Sequence, residues 1–263
     1  MITEGYMLKY LDAIWAVKGC YHPTGYAVAV PRVYKGRKIK KMKEALELVL
    51  QKFPFLFKYV EEVGFKVPLV PLKDSEILDP FNKIVKDETA IEFIKYFKGK
   101  IGVTGSMLYS NSYNDMDFLS TNEDDYQTLL ELRKKGITSP LKLINESEVE
   151  GLNEKDFLYL KGNRVLEGVF KGVPYTFKIV KCEDFGVVEG KEKFDGIVEV
   201  IRAEKPYSIP VKYYTDKGVY LTSFRIRYTE LKEGVKMYIN GILLKRNKFL
   251  DLDLDLANEV KIL

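Results

Sequence analysis

Asp115 and Asp117, separated only by Met116, are the residues of this chain best placed to do chemistry. On a strand, residues two apart project from the same face. The spacing in Asn114-Asp-Met-Asp-Phe118 therefore sets two carboxylates side by side and turns Met116 and Phe118 into the core. Such a pair suits a hard cation with oxygen ligands, Mg²⁺ or Mn²⁺. A cation of this kind neutralises charge at a reacting phosphate and lowers the pKa of an attacking hydroxyl. Upstream, Gly105 and Ser106 close an apolar run. Glycine lets the backbone approach a phosphate closely, and the serine hydroxyl with neighbouring N–H groups can hold β- and γ-phosphate oxygens.

The surrounding pattern predicts elements that position these groups. Ile101-Gly-Val-Thr-Gly-Ser106 reads as a short strand, Met107 to Asn114 as a brief helix or turn, and Asp115 to Ser120 as a second strand. A helix before them runs from Asp87 to Phe97, closed by Gly99. A helix after them is capped by Thr121 with Asp124 at the reciprocal position, and ends at Gly136. Further upstream, Tyr26 to Val33 reads as a strand and Lys41 to Phe53 as a helix stopped by Pro54. Pro68 to Pro80, with three prolines, reads as an extended connection. Asn163 to Val180 reads as a hairpin turning at Lys171 and Gly172. From about Phe194 the chain is almost wholly β, with a turn at Thr215-Asp-Lys-Gly218. Changes of hydrophobic period divide the chain into residues 1–86, 87–193 and 194–263, and the fold class expected is α+β.

Gly-Ser, eight residues, then Asp-x-Asp within apolar flanks resembles the signature of the nucleotidyltransferase superfamily, which includes DNA polymerase beta, poly(A) polymerases and CCA-adding enzymes. More narrowly, AVKGCYHPTGYAVAVPRV from Ala16, GSMLYSNSYNDMDF from Gly105 and the β-rich end are similar to an archaeal group of predicted nucleotidyltransferases. The resemblance implies a mixed sheet with helices, and transfer of a nucleoside monophosphate from a nucleoside triphosphate to a hydroxyl on nucleic acid, protein or a small acceptor. It implies that Asp115 and Asp117 bind Mg²⁺ or Mn²⁺, with Gly105 and Ser106 on the triphosphate. Members of the superfamily usually add a third carboxylate on a later strand. Here Val173 to Val180 offers Thr176 and Lys178 instead. A two-residue turn at Lys171 and Gly172 sets Glu167 opposite Thr176 and diagonal to Lys178. Glu167 then either completes the catalytic set, with Lys178 near the substrate, or forms an ion pair with Lys178. The alternative to an enzyme is a catalytically inactive nucleotidyltransferase fold that binds nucleotide or nucleic acid.

The remaining features are less pointed. A net charge of +4 over 263 residues announces no polyanion by itself. Its distribution is uneven: roughly +6 for residues 1–86, roughly −4 for 87–194 and roughly +2 thereafter, with the excess in Arg32 to Lys43. Basic and aromatic residues mix in Ser223 to Tyr228 and Asn240 to Phe249. Faces of that kind bind single strands of RNA or DNA, as OB-like barrels do, and an OB-like barrel is one option for the end of the chain. Gly241 would mark a bend in it. Leu250 to Leu256 alternates strictly and reads as an edge strand with its aspartates in water. Cys20 and Cys182 are far apart without metal-ligand spacing, which suggests buried thiols in a reducing compartment. With no leader pattern and no apolar run long enough to span a bilayer, the reading is a cytoplasmic protein with no membrane partner. Abundant Lys, Glu and Ile with scarce Gln resembles proteins of thermophiles. His22, the only histidine, and Trp15 read as packing residues.

Overall fold

Three β-sheets organise residues 2–141 and 152–263, the residues described by the computed structural model. The fold is α+β, and among the described residues the helices are few and short.

The first sheet comprises β1 (Met7–Tyr10), β2 (Ala13–Val17), β3 (Tyr26–Tyr34), β4 (Arg37–Lys38), β5 (Phe57–Val60), β6 (Phe65–Pro71) and β7 (Glu76–Leu78). Their order is β5-β6-β3-β2-β1-β7, with β4 paired to β3. Helix α1 (Met42–Lys52) buries Ala45 and Val49 on this sheet. Trp15 fills the space beneath, fully buried, its indole N–H donating to the Tyr10 carbonyl at 2.8 Å and its ring 5.6 Å from that of Phe53. The proline-rich stretch from Pro68 is not the extended connection its composition suggests, because β6 and β7 occupy much of it. Burial of Leu69 and Val70 favours a strand there. The prolines fall where a missing N–H matters least: Pro68 ends the pairing with β5, and Pro71 ends the pairing with β3.

The second sheet has the order β10-β11-β12-β9-β8, built from β8 (Gly102–Val103), β9 (Met116–Ser120), β10 (Thr138–Ser139), β11 (Glu167–Phe170) and β12 (Val173–Ile179). Only the β9–β12 pair is parallel. Helices α2 (Glu88–Ile94), α3 (Gly105–Tyr109) and α4 (Asp125–Lys134) accompany it. Met116, Phe118, Tyr175 and Phe177 point to one face and pack with Phe93 of α2 and with Leu129 and Leu132 of α4. The opposite face carries the polar residues of the same strands. Asp87 starts α2 by accepting the Ala90 N–H at 2.8 Å, but α2 stops at Ile94 as the backbone tightens through Tyr96 and Phe97. Thr121 does not cap α4. Ser120, buried at the end of β9, takes over that entry by donating to Asp125 at 2.5 Å and accepting the Asn122 N–H. Gly136 ends the helix at φ +68°.

Helix α5 (Glu154–Asn163) supplies Phe157 and Leu160 to the core of the third sheet. That sheet contains β13 (Val188–Lys205), β14 (Val211–Thr215), β15 (Tyr220–Ser223), β16 (Lys236–Arg246), β17 (Leu250–Asp253) and β18 (Glu259–Ile262), in the order β13-β14-β15-β17-β16-β18. Strand β13 pairs with β16 through Glu199 and with β14 from Val200 onward. The run beginning at Leu250 is not an edge strand. β17 lies between β15 and β16, and Asp251 is fully buried, accepting from Thr222 Oγ1 and Arg246 Nε at 2.6 Å each. Strict alternation misleads because Asp251 finds buried partners that the local pattern does not show.

Cys20 and Cys182 are not free thiols. They form a disulfide with Cα atoms 5.6 Å apart across 162 residues of sequence. The chain leaving β2 and the chain leaving β12 meet beside Leu119, Val180 and Ile209, a proximity that sequence separation conceals. Among the described residues, no helix is long and apolar enough to cross a membrane.

Candidate functional site

A cavity of about 410 Å³ opens on the polar face of the second sheet, and its walls include Gly105, Ser106, Asp115, Asp117, Glu167, Thr176 and Lys178. Every residue singled out from the sequence for metal, phosphate or catalytic work thus borders one space.

Sheet register explains the convergence. Thr104 N–H donates to the Asp117 carbonyl at 2.9 Å, which places Gly105 against the Asp117 side chain. Gly105 has φ +57°, and a Cβ there would collide with the Asp117 carboxylate. Glycine is required both for the turn and for the approach. Asp117 pairs directly with Thr176 in the parallel β9–β12 ladder, and Thr176 pairs directly with Glu167 in the β11–β12 hairpin. Lys171 and Gly172, at φ +49° and +81°, form the tight turn that fixes this register. Asp117, Thr176 and Glu167 consequently stand in one row across three strands. Neighbouring strands lie about 4.8 Å apart, so the Glu167 backbone is roughly 10 Å from that of Asp117. The position beside Asp117 belongs to Thr176.

Glu167 does not pair with Lys178. It forms a buried ion pair with Arg164 at 2.7 Å, while Arg133 donates to the Glu167 carbonyl at 2.9 Å. Arg164 also donates to the Arg227 carbonyl at 2.6 Å, tying the second sheet to the stretch after β15. Lys178 instead reaches Glu4 at 3.2 Å. Glu4 additionally contacts Lys18 at 3.5 Å and accepts the Gly19 N–H at 2.9 Å. Burial alone would raise the Glu4 pKa, but the two lysines and the N–H overcome it and hold the carboxyl at about 2. Burial brings Lys18 down to about 8 despite Glu4. Asp117 moves the other way: burial first, and then Asp115, push it up to about 7.

A cation would relieve that repulsion. Asp115, exposed at the mouth, and Asp117, half-buried behind it, could together offer carboxylate oxygens to a hard ion. Glu167 is engaged by Arg164, and among the described residues no cluster of three or more His, Cys, Asp or Glu side chains forms a metal site.

Other lining residues come from stretches that the sequence marks only as basic segments able to meet phosphate or a single strand. Arg32, Lys38 and Lys40 come from the first sheet and its continuation; their signal was the basic run from Arg32 to Lys43. Arg225 and Arg227 come from Ser223 to Tyr228, which is not a strand face beyond β15 but turns into a 3-10 segment at Ile226–Tyr228. Asp255 causes that turn, accepting from Ser223 Oγ at 2.6 Å and the Phe224 N–H at 2.8 Å. Glu4 and Lys18 had no local signal. His22 stays outside the lining; its Nδ1 accepts the Val28 N–H at 3.2 Å, and burial lowers its pKa to about 4. Comparison of the chain with protein families, with curated proteins and with solved structures finds no match.

Proposed function

We propose that this protein is a metal-dependent nucleotidyltransferase that moves a nucleoside monophosphate from a nucleoside triphosphate to an acceptor hydroxyl. The observation that carries the reading is the cavity wall in which Gly105 and Ser106 adjoin Asp115 and Asp117. Asp115 and Asp117 would hold Mg²⁺ or Mn²⁺, which supplies charge neutralisation at the transferred phosphate. Gly105 gives the triphosphate room to approach, and the Ser106 hydroxyl donates to it. Lys178 and Lys18, held by Glu4, set positive charge behind Asp117. Catalysis of this type rests on positioning and charge rather than on covalent chemistry by the protein.

A second reading has its own support. With Thr176 beside Asp117 and Glu167 engaged by Arg164, the third carboxylate of the superfamily has no counterpart free to act on the acceptor. A catalytically inactive fold that binds nucleotide or nucleic acid accounts for that arrangement. The third sheet supports an OB-like role in such binding, since its pairings run in a circuit from β13 through β14, β15, β17 and β16 back to β13. A cytoplasmic location agrees with the disulfide when joined to the thermophile-like composition, because intracellular proteins of hyperthermophiles are rich in disulfides.

The deciding measurement is binding of each nucleoside triphosphate, with and without Mg²⁺ or Mn²⁺, to the wild type and to Asp115→Asn/Asp117→Asn. Metal-dependent binding that the variant loses supports the site; binding to neither protein removes it. Label transfer from an α-labelled triphosphate then separates enzyme from binder.

A further inference from the structure

The cavity is more basic than a triphosphate with its metal requires, and the excess is concentrated on one lip. Arg32 to Lys43 holds seven cations, Arg32, Lys35, Arg37, Lys38, Lys40, Lys41 and Lys43, and no carboxylate. Arg37 is compensated by Glu44 at 2.9 Å, whereas Lys35, Lys38, Lys40, Lys41 and Lys43 form no ion pair among the described residues. All five of those lysines are exposed.

Their placement is directional. Val33 pairs with Lys38 and Tyr34 with Arg37, with Lys35 and Gly36 at the tip, both at positive φ. The pairing continues as the Ile39 N–H donates to the Arg32 carbonyl at 2.8 Å, and Arg32 Nη1 donates to the Lys40 carbonyl at 2.9 Å. Buried Ile39 anchors the strand, so Lys38 and Lys40 are held at the cavity wall with Met42. Lys35 stands at the hairpin tip, one step past the Tyr34–Arg37 pair and two past Lys38, about 7 Å farther out at the rise of a strand. Lys38 and Lys40 border the cavity with Asp115 and Asp117, whereas Lys35, Lys41 and Lys43 lie outside its lining. The row of uncompensated charge continues past it, which suits a chain of phosphates.

We propose that the basic hairpin from Arg32 to Lys40, with the entry to α1 through Lys43, binds the phosphodiester backbone of a nucleic-acid acceptor and delivers its terminal hydroxyl to the cavity. Delivery to a transfer site rests on the nucleotidyltransferase reading; backbone binding by the hairpin does not. Lys35, Lys38, Lys40 and Lys41 contact phosphates, and such contacts carry affinity and salt dependence without base preference.

The test is fluorescence anisotropy of short labelled RNA and DNA oligonucleotides of mixed sequence against the full chain, as salt is raised. Wild type is compared with the quadruple variant Lys35→Ala/Lys38→Ala/Lys40→Ala/Lys41→Ala. Circular dichroism verifies that the variant, altered only at exposed side chains, is folded. The expected result is a loss of affinity of tenfold or more and a salt slope shallower by about 2 to 3, given roughly 0.7 for each single-strand phosphate contact removed. Equal affinity and slope in the two proteins would overturn the proposal, as would binding to anionic lipid vesicles without binding to either oligonucleotide. Triphosphate binding is measured separately, so lysine-dependent oligonucleotide binding without it would retain the hairpin's role and reject nucleotidyl transfer.

Discussion

Glu4 and Lys178, 174 positions apart, meet at 3.2 Å beside Asp117, so a residue ahead of β1 completes the charge arrangement around a carboxylate of the second sheet. Because Glu4 titrates at about 2 rather than its ordinary 4.5, the folded state binds its proton more weakly than the unfolded state. The stability this gives is fully present above pH 4.5 and lost as pH falls towards 2. Its size is about 3 kcal/mol, because each tenfold weakening of proton binding is worth roughly 1.4 kcal/mol. In Glu4→Gln the acid limb of a stability-against-pH curve, from urea melts, should flatten in that window. An acid limb identical to that of the wild type would sink this assignment.

Gly105→Ala tests the approach between the turn and the carboxylate. The added methyl must displace the Asp117 side chain while the residue keeps a left-handed φ. A loss of about 1–3 kcal/mol is expected in denaturant melts, together with at least tenfold weaker metal-dependent triphosphate binding. Unchanged melting and binding would show that the two residues are not in register.

Glu167→Gln removes the partner of a fully buried Arg164, and leaving that charge uncompensated should cost about 3–5 kcal/mol. Replacing both residues, Glu167→Gln with Arg164→Met, should recover part of the loss, since the unpaired charge is gone while the Arg227 carbonyl loses its donor. Should the single variant keep full stability but lose transfer activity, Glu167 would be a catalytic residue rather than a cross-link.

Asp255→Ala should act on the cavity without lining it. Its carboxylate holds Ser223 and the Phe224 N–H, and so shapes the segment that presents Arg225 and Arg227. Loss of the acceptor for a half-buried N–H costs about 1–3 kcal/mol. Faster amide exchange confined to residues 223–228 is the expected signature, and protection there equal to that of the wild type would count against it.

What the sequence made legible was local. Gly105, Ser106, Asp115 and Asp117 lie within one strand-helix-strand passage, so spacing and periodicity suffice to bring them together. The Glu167 to Thr176 register followed from a two-residue turn. Several of the contributions that were missed are long-range: Glu4 to Lys178, Cys20 to Cys182 and Asp255 to Phe224. Alternation also failed at Asp251, where a buried carboxylate is stabilised by Arg246 and Thr222 rather than by water. Arg164 and Glu167 are close enough in sequence to suggest a pair, but nothing in their spacing distinguishes a buried cross-link from a surface one.

The Cys20–Cys182 bond makes residues 20–182 a closed covalent loop that contains β9, β11, β12 and every aspartate and glycine of the cavity wall. A protease that cuts once within that loop produces no separate fragments. The nicked protein migrates as one molecule until a reductant is added, and the cut ends keep the packing of both sheets to hold them in place.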